Sequence, residues 1–250
     1  MTAVSDTVPQ GPGTGIVAVI PAYNQEQMIG PFIVKTKQQV DRVIVVDAGS
    51  VDGTADVAKE AGADVIHLTR NTGQIHALMY GLQRAQEMGF SVALSLDSEN
   101  EYDPQEINRV AGTALSGKAD LVIGSRFLSS AAQKLPDQKF TRMNLKSGQL
   151  LMDSASPVKA FNKKSLDSLV FKGEQFRFSG DLISYFDSAG FTISEIPITM
   201  PKLLKEPETW EPPTKILAVI PAYNEELVIG SVVLKALQYV NKVIVVDDGS

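Results

Sequence analysis

Short, unbroken apolar runs that alternate with segments of helical period most narrow what this chain can become. Ile16–Ile20 and Val43–Val46 are too short for a helix and too continuous for a strand with one wet face, and Asp64–Leu68, Ser91–Leu96 and Asp120–Ile123 read as further strands. Between them, Met28, Ile29, Phe32 and Ile33 after Asn24 fall at helical spacing, and helices are expected from the 47–54 loop through about Ala61, over Gln74–Met88 and over Pro104–Leu115. Strands buried on both faces and separated by helices predict a layered α/β fold with a mostly parallel sheet. Beyond Arg126 the alternation loosens, with a helix expected around Ser179–Ser188 and a strand around Thr192–Ile196. That half is expected to form the second side of a cleft. Asn24 is the expected cap of the first helix, and Pro31 is tolerable only near its start.

The opening unit recurs. IVAVIPAYNQEQMIG…VDRVIVVDAGS (16–50) and ILAVIPAYNEELVIG…VNKVIVVDDGS (216–250) are identical at 21 of 35 positions. The intervening Pro- and charge-rich segment, residues 200–215, reads as a linker. The expected organisation is a flexible leader over 1–15, a domain over 16–199, the linker, and the start of a second, incomplete copy over 216–250. One strand, one helix and one strand cannot bury both faces of a sheet, so this last segment is expected to be poorly autonomous.

Composition removes several chemistries. The chain has 250 residues, 44% of them apolar, and no cysteine, so disulfides, cysteine–zinc sites and thiol catalysis are all excluded. With two isolated histidines, His67 and His76, any metal is expected on carboxylates. A net charge of −6 argues against a nucleic-acid-coating surface, although a small basic pocket for phosphates is compatible with it. Neither a membrane-spanning run nor a signal peptide is visible, so a cytoplasmic location is expected. The glycines Gly11, Gly13 and Gly15 precede the first strand, and GTALSGK (112–118) closes a helix, so neither has the context of a phosphate loop. Both histidines read as packing or surface residues.

In open parallel sheets ligands bind beyond the carboxyl ends of the strands. Here that edge gathers the loops 21–26, 47–54, 97–103 and 124–127. The run Asp97-Ser98-Glu99-Asn100-Glu101 places carboxylates at alternate positions, which suits either a divalent cation on a diphosphate or a solvated acidic turn capping the next helix.

PAYNQE (21–26), VIVVDAGSVDGTADVAKEAGADVI (43–66), DSENEYDP (97–104) and ADLVIGSRF (119–127) resemble, in order and spacing, family 2 glycosyltransferases of the GT-A fold. The likeness is strongest to the polyprenyl-phosphate (dolichyl-phosphate) mannosyl- and glucosyltransferase branch, and residues 146–169 and 176–199 continue it. The resemblance implies metal-assisted, inverting transfer of a sugar from a nucleotide-sugar donor to a lipid-phosphate or saccharide acceptor, with Mg²⁺ or Mn²⁺ as cofactor. It also implies a location peripheral to the cytoplasmic membrane face. By the same resemblance Pro21, Tyr23 and Asp47 would hold the nucleobase, and Asp97, Glu99 and Glu101 the ribose and metal. Arg126 and Arg142 would neutralise phosphates, and Asp181 would be a general base. Asp153 matches a position common in the branch and reads equally as structural or functional.

Four positions depart from the family pattern. Gln25 replaces Glu, Ala48 replaces the second Asp of a pair, Gln74 replaces Lys, and the metal motif reads Asp97-Ser98-Glu99. These departures open an alternative, a non-catalytic nucleotide-binding domain that serves an intact second domain.

Overall fold

The computed structural model describes residues 15–71, 73–98, 104–128, 142–171, 176–199, 217–222, 229–237 and 240–247. They fall into two units, one within Met1–Leu204 and one within Lys205–Ser250.

In the first unit the strands are β1 (Ile16–Ala22), β2 (Arg42–Asp47), β3 (Asp64–His67), β4 (Val92–Ser95), β5 (Leu121–Ser125), β6 (Met143–Asn144), β7 (Leu150–Leu151), β8 (Lys159–Asn162) and β9 (Ile193–Pro197). The helices are α1 (Glu26–Thr36), α2 (Thr54–Glu60), α3 (Gln74–Glu87), α4 (Pro104–Leu115), α5 (Lys163–Ser168) and α6 (Ser179–Ser188). Seven strands form one sheet in the order β3-β2-β1-β4-β8-β5-β9, and β6 and β7 form a separate small ribbon. All neighbours in the large sheet pair in parallel except β8, which runs antiparallel to both β4 and β5. The described residues of the first unit thus take the expected layered α/β architecture, with one reversed strand.

The apolar runs are continuous because successive side chains enter different cores. Val17, Val19, Ile44 and Val46 face a cluster completed by Leu82 of α3 and Phe186 of α6. Ala18, Ile20, Val43 and Val45 face the other side, with Ile29 and Ile33 of α1 and Val110 of α4. Each fully buried Ile or Leu contributes about 1.5–3 kcal/mol relative to exposure. Helix α3 lies so close to β1 that a Cβ on Gly81 would overlap Val19 Cγ1.

Two local expectations fail for identifiable reasons. Asn24 does not cap α1: it adopts φ 52°, in the left-handed region that asparagine tolerates better than most residues. The helix begins after Gln25 with no side-chain cap. Strand β8, with α5 directly after it, has no counterpart in the sequence reading. Four residues, Lys-Ala-Phe-Asn, show no period, and a lysine opens them. Asp120 secures this insertion: its carboxylate accepts hydrogen bonds from Asn162 Nδ2 (3.1 Å), Lys164 Nζ (2.9 Å) and the Thr192 backbone N–H (2.9 Å). Burial opposes the charge, but these donors outweigh it and hold the Asp120 carboxyl below the usual carboxylate range.

The second unit contains β10 (Leu217–Ala222), α7 (Ile229–Ala236) and β11 (Lys242–Asp247), with β10 and β11 parallel. Its register, Leu217↔Lys242 through Ala222↔Asp247, repeats that of β1 and β2, Val17↔Arg42 through Ala22↔Asp47. The environments differ: Val19 and Val46 are fully buried, whereas Val219 and Val246 are 58% and 48% exposed. Linker residues 200–215 lie outside the described residues, as does most of the leader, 1–14.

Gly81→Ala is expected to destabilise the first unit by about 1–3 kcal/mol through overpacking, measurable in urea unfolding. Val19→Ala in the same chain should recover part of that loss, and a non-additive pair is the signature to look for. Asp120 gives a pH signature. Its depressed pKa contributes stability above the unfolded value, and that stability is lost as pH falls through the folded value. Asp120→Asn should therefore flatten the rise in stability between about pH 3 and 5 in acid-unfolding curves.

Candidate functional site

Parallel strands bring their carboxyl ends to one edge, so the residues after Ala22, Asp47, Ser95 and Ser125 gather there. The reversed strand adds its amino end: Lys159 pairs with Ser95 on one side and Ile123 on the other. Two adjoining recesses open along this edge, of about 690 Å³ and about 310 Å³, and they share Pro21, Gly73, Gln74 and Asp97.

The smaller recess is lined by Tyr23, Gln25, Ala48 and Asn71 besides the shared residues. A reciprocal set of hydrogen bonds between the first two loops shapes its wall. The backbone N–H groups of Asn24, Gln25 and Glu26 donate to Ser50 Oγ (2.9 Å), Thr54 Oγ1 (2.7 Å) and Asp52 Oδ2 (3.2 Å). In return, Val51 N–H donates to Asn24 Oδ1 (3.0 Å) and Gly53 N–H to Glu26 Oε2 (3.1 Å). The Thr54 hydroxyl passes its own hydrogen to Asp52 Oδ1 (2.5 Å), the main cause that holds the Asp52 carboxyl below its ordinary range. Gly49 turns this loop at φ 79°, and a Cβ there would meet the Arg70 backbone at 2.8 Å.

Asp47 belongs to this scaffold and does not line either recess. Its side chain is 1% exposed; Oδ1 accepts from Ser50 N (3.1 Å) and Ser50 Oγ (2.5 Å), and Oδ2 meets His67 Nδ1 at 2.6 Å. The next residue, Ala48, faces the recess instead. Gln25 Oε1 accepts a hydrogen bond from Ser98 Oγ, which joins the first loop to the acidic one.

The larger recess carries positive charge from Arg126, Lys159 and Arg177, with Asp97 and His76 also in its lining. Arg126 is held by Asp153, which is fully buried: Nε donates to Oδ2 (2.8 Å), an Nη to Oδ1 (2.6 Å), and the Arg126 backbone N–H to Oδ2 (2.9 Å). This paired geometry fixes a guanidinium far better than a surface ion pair does. Behind it, Glu195 Oε1 and Oε2 accept from the backbone N–H groups of Asp153 (2.7 Å) and Met152 (2.8 Å). Burial, aided by the nearby Asp153 charge, raises the Glu195 pKa against those hydrogen bonds. Lys159 is 3% exposed, and its ammonium donates to the Ser156 carbonyl. Burial lowers its pKa to about 7, with Asp153 acting to raise it and Arg126 to lower it.

The structure thus gathers Pro21, Tyr23, Asp97 and Arg126 at one edge. Asp181 lies in the first turn of α6, where Oδ2 accepts from the backbone N–H groups of Arg177 (2.9 Å) and Phe178 (3.3 Å), and it is not in the lining of either recess. Arg142 is exposed and likewise absent from both linings. Glu99 and Glu101 lie outside the described residues. Sequence reasoning missed Lys159 and Glu195, although a lysine inside the apolar run Val158–Phe161 was a signal to read. His76, taken as a packing or surface residue, lines the larger recess because the first turn of α3 reaches the same edge.

Among the described residues no group of three His, Asp or Glu side chains forms a metal cluster. Among the described residues Asp97 supplies the carboxylate where the recesses meet, which fits a hard cation that draws other ligands from water and substrate phosphates. No helix among the described residues is long and apolar enough to cross a membrane.

Relatives of known name carry the same arrangement of sequence. A UDP-N-acetylglucosamine–dolichyl-phosphate N-acetylglucosaminyltransferase of Methanococcus voltae is 26% identical, over 73% of this chain and 84% of its own length. A polyprenol monophosphomannose synthase of Mycolicibacterium smegmatis is 27% identical, over 73% and 76%. Among solved structures, glucosyl-3-phosphoglycerate synthase of Mycobacterium tuberculosis, crystallised with Mn²⁺ and UDP-glucose, superposes with a TM-score of 0.56. It is 24% identical, with 73% of this chain and 68% of the other covered, and that likeness establishes the GT-A fold. The sequence model of glycosyl transferase family 2 matches residues 17–169, more than half of the chain, and the protein belongs to that family.

Proposed function

We propose that the smaller recess receives the base of a nucleotide-sugar, that the diphosphate lies over Asp97, and that the larger recess holds the sugar together with a phosphate-bearing acceptor. The acceptor class we infer is a polyprenyl phosphate presented at a membrane surface. The observation that carries this reading is Arg126, a guanidinium locked by buried Asp153 on the wall of a recess that also reaches Asp97. The named relatives that act on dolichyl or polyprenol phosphate support the acceptor class.

In this mechanism Tyr23 and Pro21 form one wall for the base, and the loop bonds from Asn24 to Thr54 keep that wall in place. An acceptor phosphate oxygen attacks the anomeric carbon as the bond from that carbon to the diphosphate breaks, and the bonding pair leaves with the nucleoside diphosphate. The acceptor is already anionic, so no side chain has to remove a proton from it. We assign Asp181 the cap of α6, because its carboxylate oxygen is bonded to backbone N–H groups there. Arg126 holds phosphate charge close to the reacting carbon, in a site fixed before substrate arrives. A bound Mg²⁺ or Mn²⁺ would supply Lewis-acid neutralisation of the departing diphosphate, with Asp97 as its protein ligand in the described residues. We also read residues 216–250 as the opening of a second copy of the domain, on the strength of the shared β–α–β register.

A second reading, nucleotide binding without turnover, is favoured by Ala48, whose methyl group lines the smaller recess where a carboxylate would accept a base N–H. Losing such an acceptor weakens binding by about 1–3 kcal/mol.

The test is transfer of labelled sugar from UDP- and GDP-sugars to a polyprenyl phosphate by the whole chain with Mg²⁺ or Mn²⁺. Arg126→Ala should reduce kcat/KM by about 10²–10³-fold, and Asp153→Asn by about 10–100-fold, because the guanidinium loses its charged partner. Undiminished turnover in Arg126→Ala would refute the placement of the acceptor, whereas tight nucleotide binding without transfer by the unmodified chain would favour the second reading. Removal of divalent metal with EDTA should abolish transfer, and Asp97→Asn should raise the metal concentration needed for half-maximal rate. A metal requirement unchanged in Asp97→Asn would remove that residue from the ligand set.

A further inference from the structure

Lys159 is used by no step above, yet it is the most deeply buried cation of the larger recess. It opens β8, and because that strand is reversed its side chain emerges at the edge where the parallel strands end. A lysine 3% exposed is rare unless a charge partner stands with it. The nearby acid, Asp153, already takes three hydrogen bonds from Arg126. The ammonium is bonded instead to the carbonyl of Ser156, a neutral acceptor. The other charged or titratable groups near it among the described residues are these. Asp153 and Arg126 lie beside it, with Glu195 behind Asp153. Asp97, His76 and Arg177 lie elsewhere on the recess wall. Its neighbours on β4 and β5, Ser95 and Ile123, carry no charge.

Arg126 and Lys159 stand beside the buried carboxylate of Asp153, which accepts from Arg126, so an arriving phosphate can take both the guanidinium and the Lys159 amine as donors. We propose that Lys159 is a phosphate-binding residue that closes on the same anion as Arg126 and takes up a proton from solvent when the anion arrives. This rests on reading the larger recess as a phosphate site. The physical sense is that a buried ammonium is costly in an empty recess and stabilised in a filled one. Burial already brings this side chain near neutrality at physiological pH, so the charge needed on binding is drawn from water. Arginine would stay charged in both states and gives no such coupling. The ligand chemistry is a phosphate dianion, whether a lipid headgroup or free phosphate.

Calorimetric titration of the whole chain at about pH 8.5, in two buffers of different ionisation enthalpy, counts protons taken up per ligand. The probes are farnesyl phosphate and inorganic phosphate, and tighter binding of the former assigns the site to a lipid headgroup. Expected is uptake close to one proton by the unmodified chain and none by Lys159→Arg, which still binds. Lys159→Met, closer in shape and so easier to fold, should bind about 10- to 100-fold more weakly near neutral pH, with an affinity that no longer falls as pH rises. Binding without proton uptake by the unmodified chain, or equal uptake by Lys159→Arg, overturns the proposal alone. Failure of the unmodified chain to bind either phosphate overturns both the proposal and the reading of the recess.

Discussion

The site depends first on a clasp between two loops. The chain leaves β1 at Ala22 and β2 at Asp47, adjacent ends that no regular structure continues. Backbone groups at such ends must find partners or lose roughly 1–3 kcal/mol each where water is excluded. Here short hydroxyl and carboxylate side chains from 50, 52 and 54 take the N–H groups of 24, 25 and 26, while Asn24 and Glu26 return the favour. Asp47 anchors the array from below through Ser50, and His67 meets its other oxygen. Tyr23 can then stand 43% exposed at the recess without the loop beneath it being loose. The strained φ of Asn24 is the cost of that arrangement, offset by the hydrogen bond its side chain accepts from Val51.

The second support is the reversed strand. A sheet made only of βαβ units would bring strand ends and their loops to the edge, and loops alone would carry the chemistry. Inserting β8 between β4 and β5 puts the connection from Met152 to Val158 there too, with Asp153 fully buried and Lys159 at the start of the strand. Arg126 is thereby fixed from a neighbouring segment instead of from its own loop. Glu195, on β9, binds the backbone that carries Asp153, so three layers of polar contact run from the sheet edge to the recess. A buried network of this kind is favourable only when its members are partnered, and the bonds seen here supply those partners.

The parallel strands were legible because each apolar run is bounded by Pro, Asp or Gly and has a two-faced core to fill. Val43–Val46 could hardly be anything else. Strand β8 was not legible: Lys159–Asn162 is too short for a period, and its position follows from Asp120 binding Asn162 and Lys164, contacts that sequence spacing does not reveal. The gathering of Pro21, Tyr23, Asp97 and Arg126 followed from strand polarity. Asp47 was harder, because a strand's last residue points either outward to the ligand or inward to the loop, and only the bonds to Ser50 and His67 decide between them. Asp181 posed the same question at a helix start, where capping competes with catalysis for the same carboxylate.

The departures from the family pattern have a spatial logic that a linear reading hides. Gln25, Ala48 and Gln74 are distant in sequence, yet all three line the smaller recess. The resemblance implies Glu, Asp and Lys at these positions, so two acids and one base are replaced together by uncharged side chains. Replacing all three leaves Asp97 as the charged side chain of that lining among the described residues. Gln74 also lines the larger recess, which keeps Arg126, Lys159 and Arg177 in its lining and the buried acid behind Arg126, while the departure at Glu99 lies outside the described residues. On the proposed placement of the donor, neutral amides that donate as well as accept would still meet the edge of a base, with less discrimination than a carboxylate gives against N–H groups. On that placement the altered positions concern how the donor is held, and Arg126 with its buried acid is another part of the same edge.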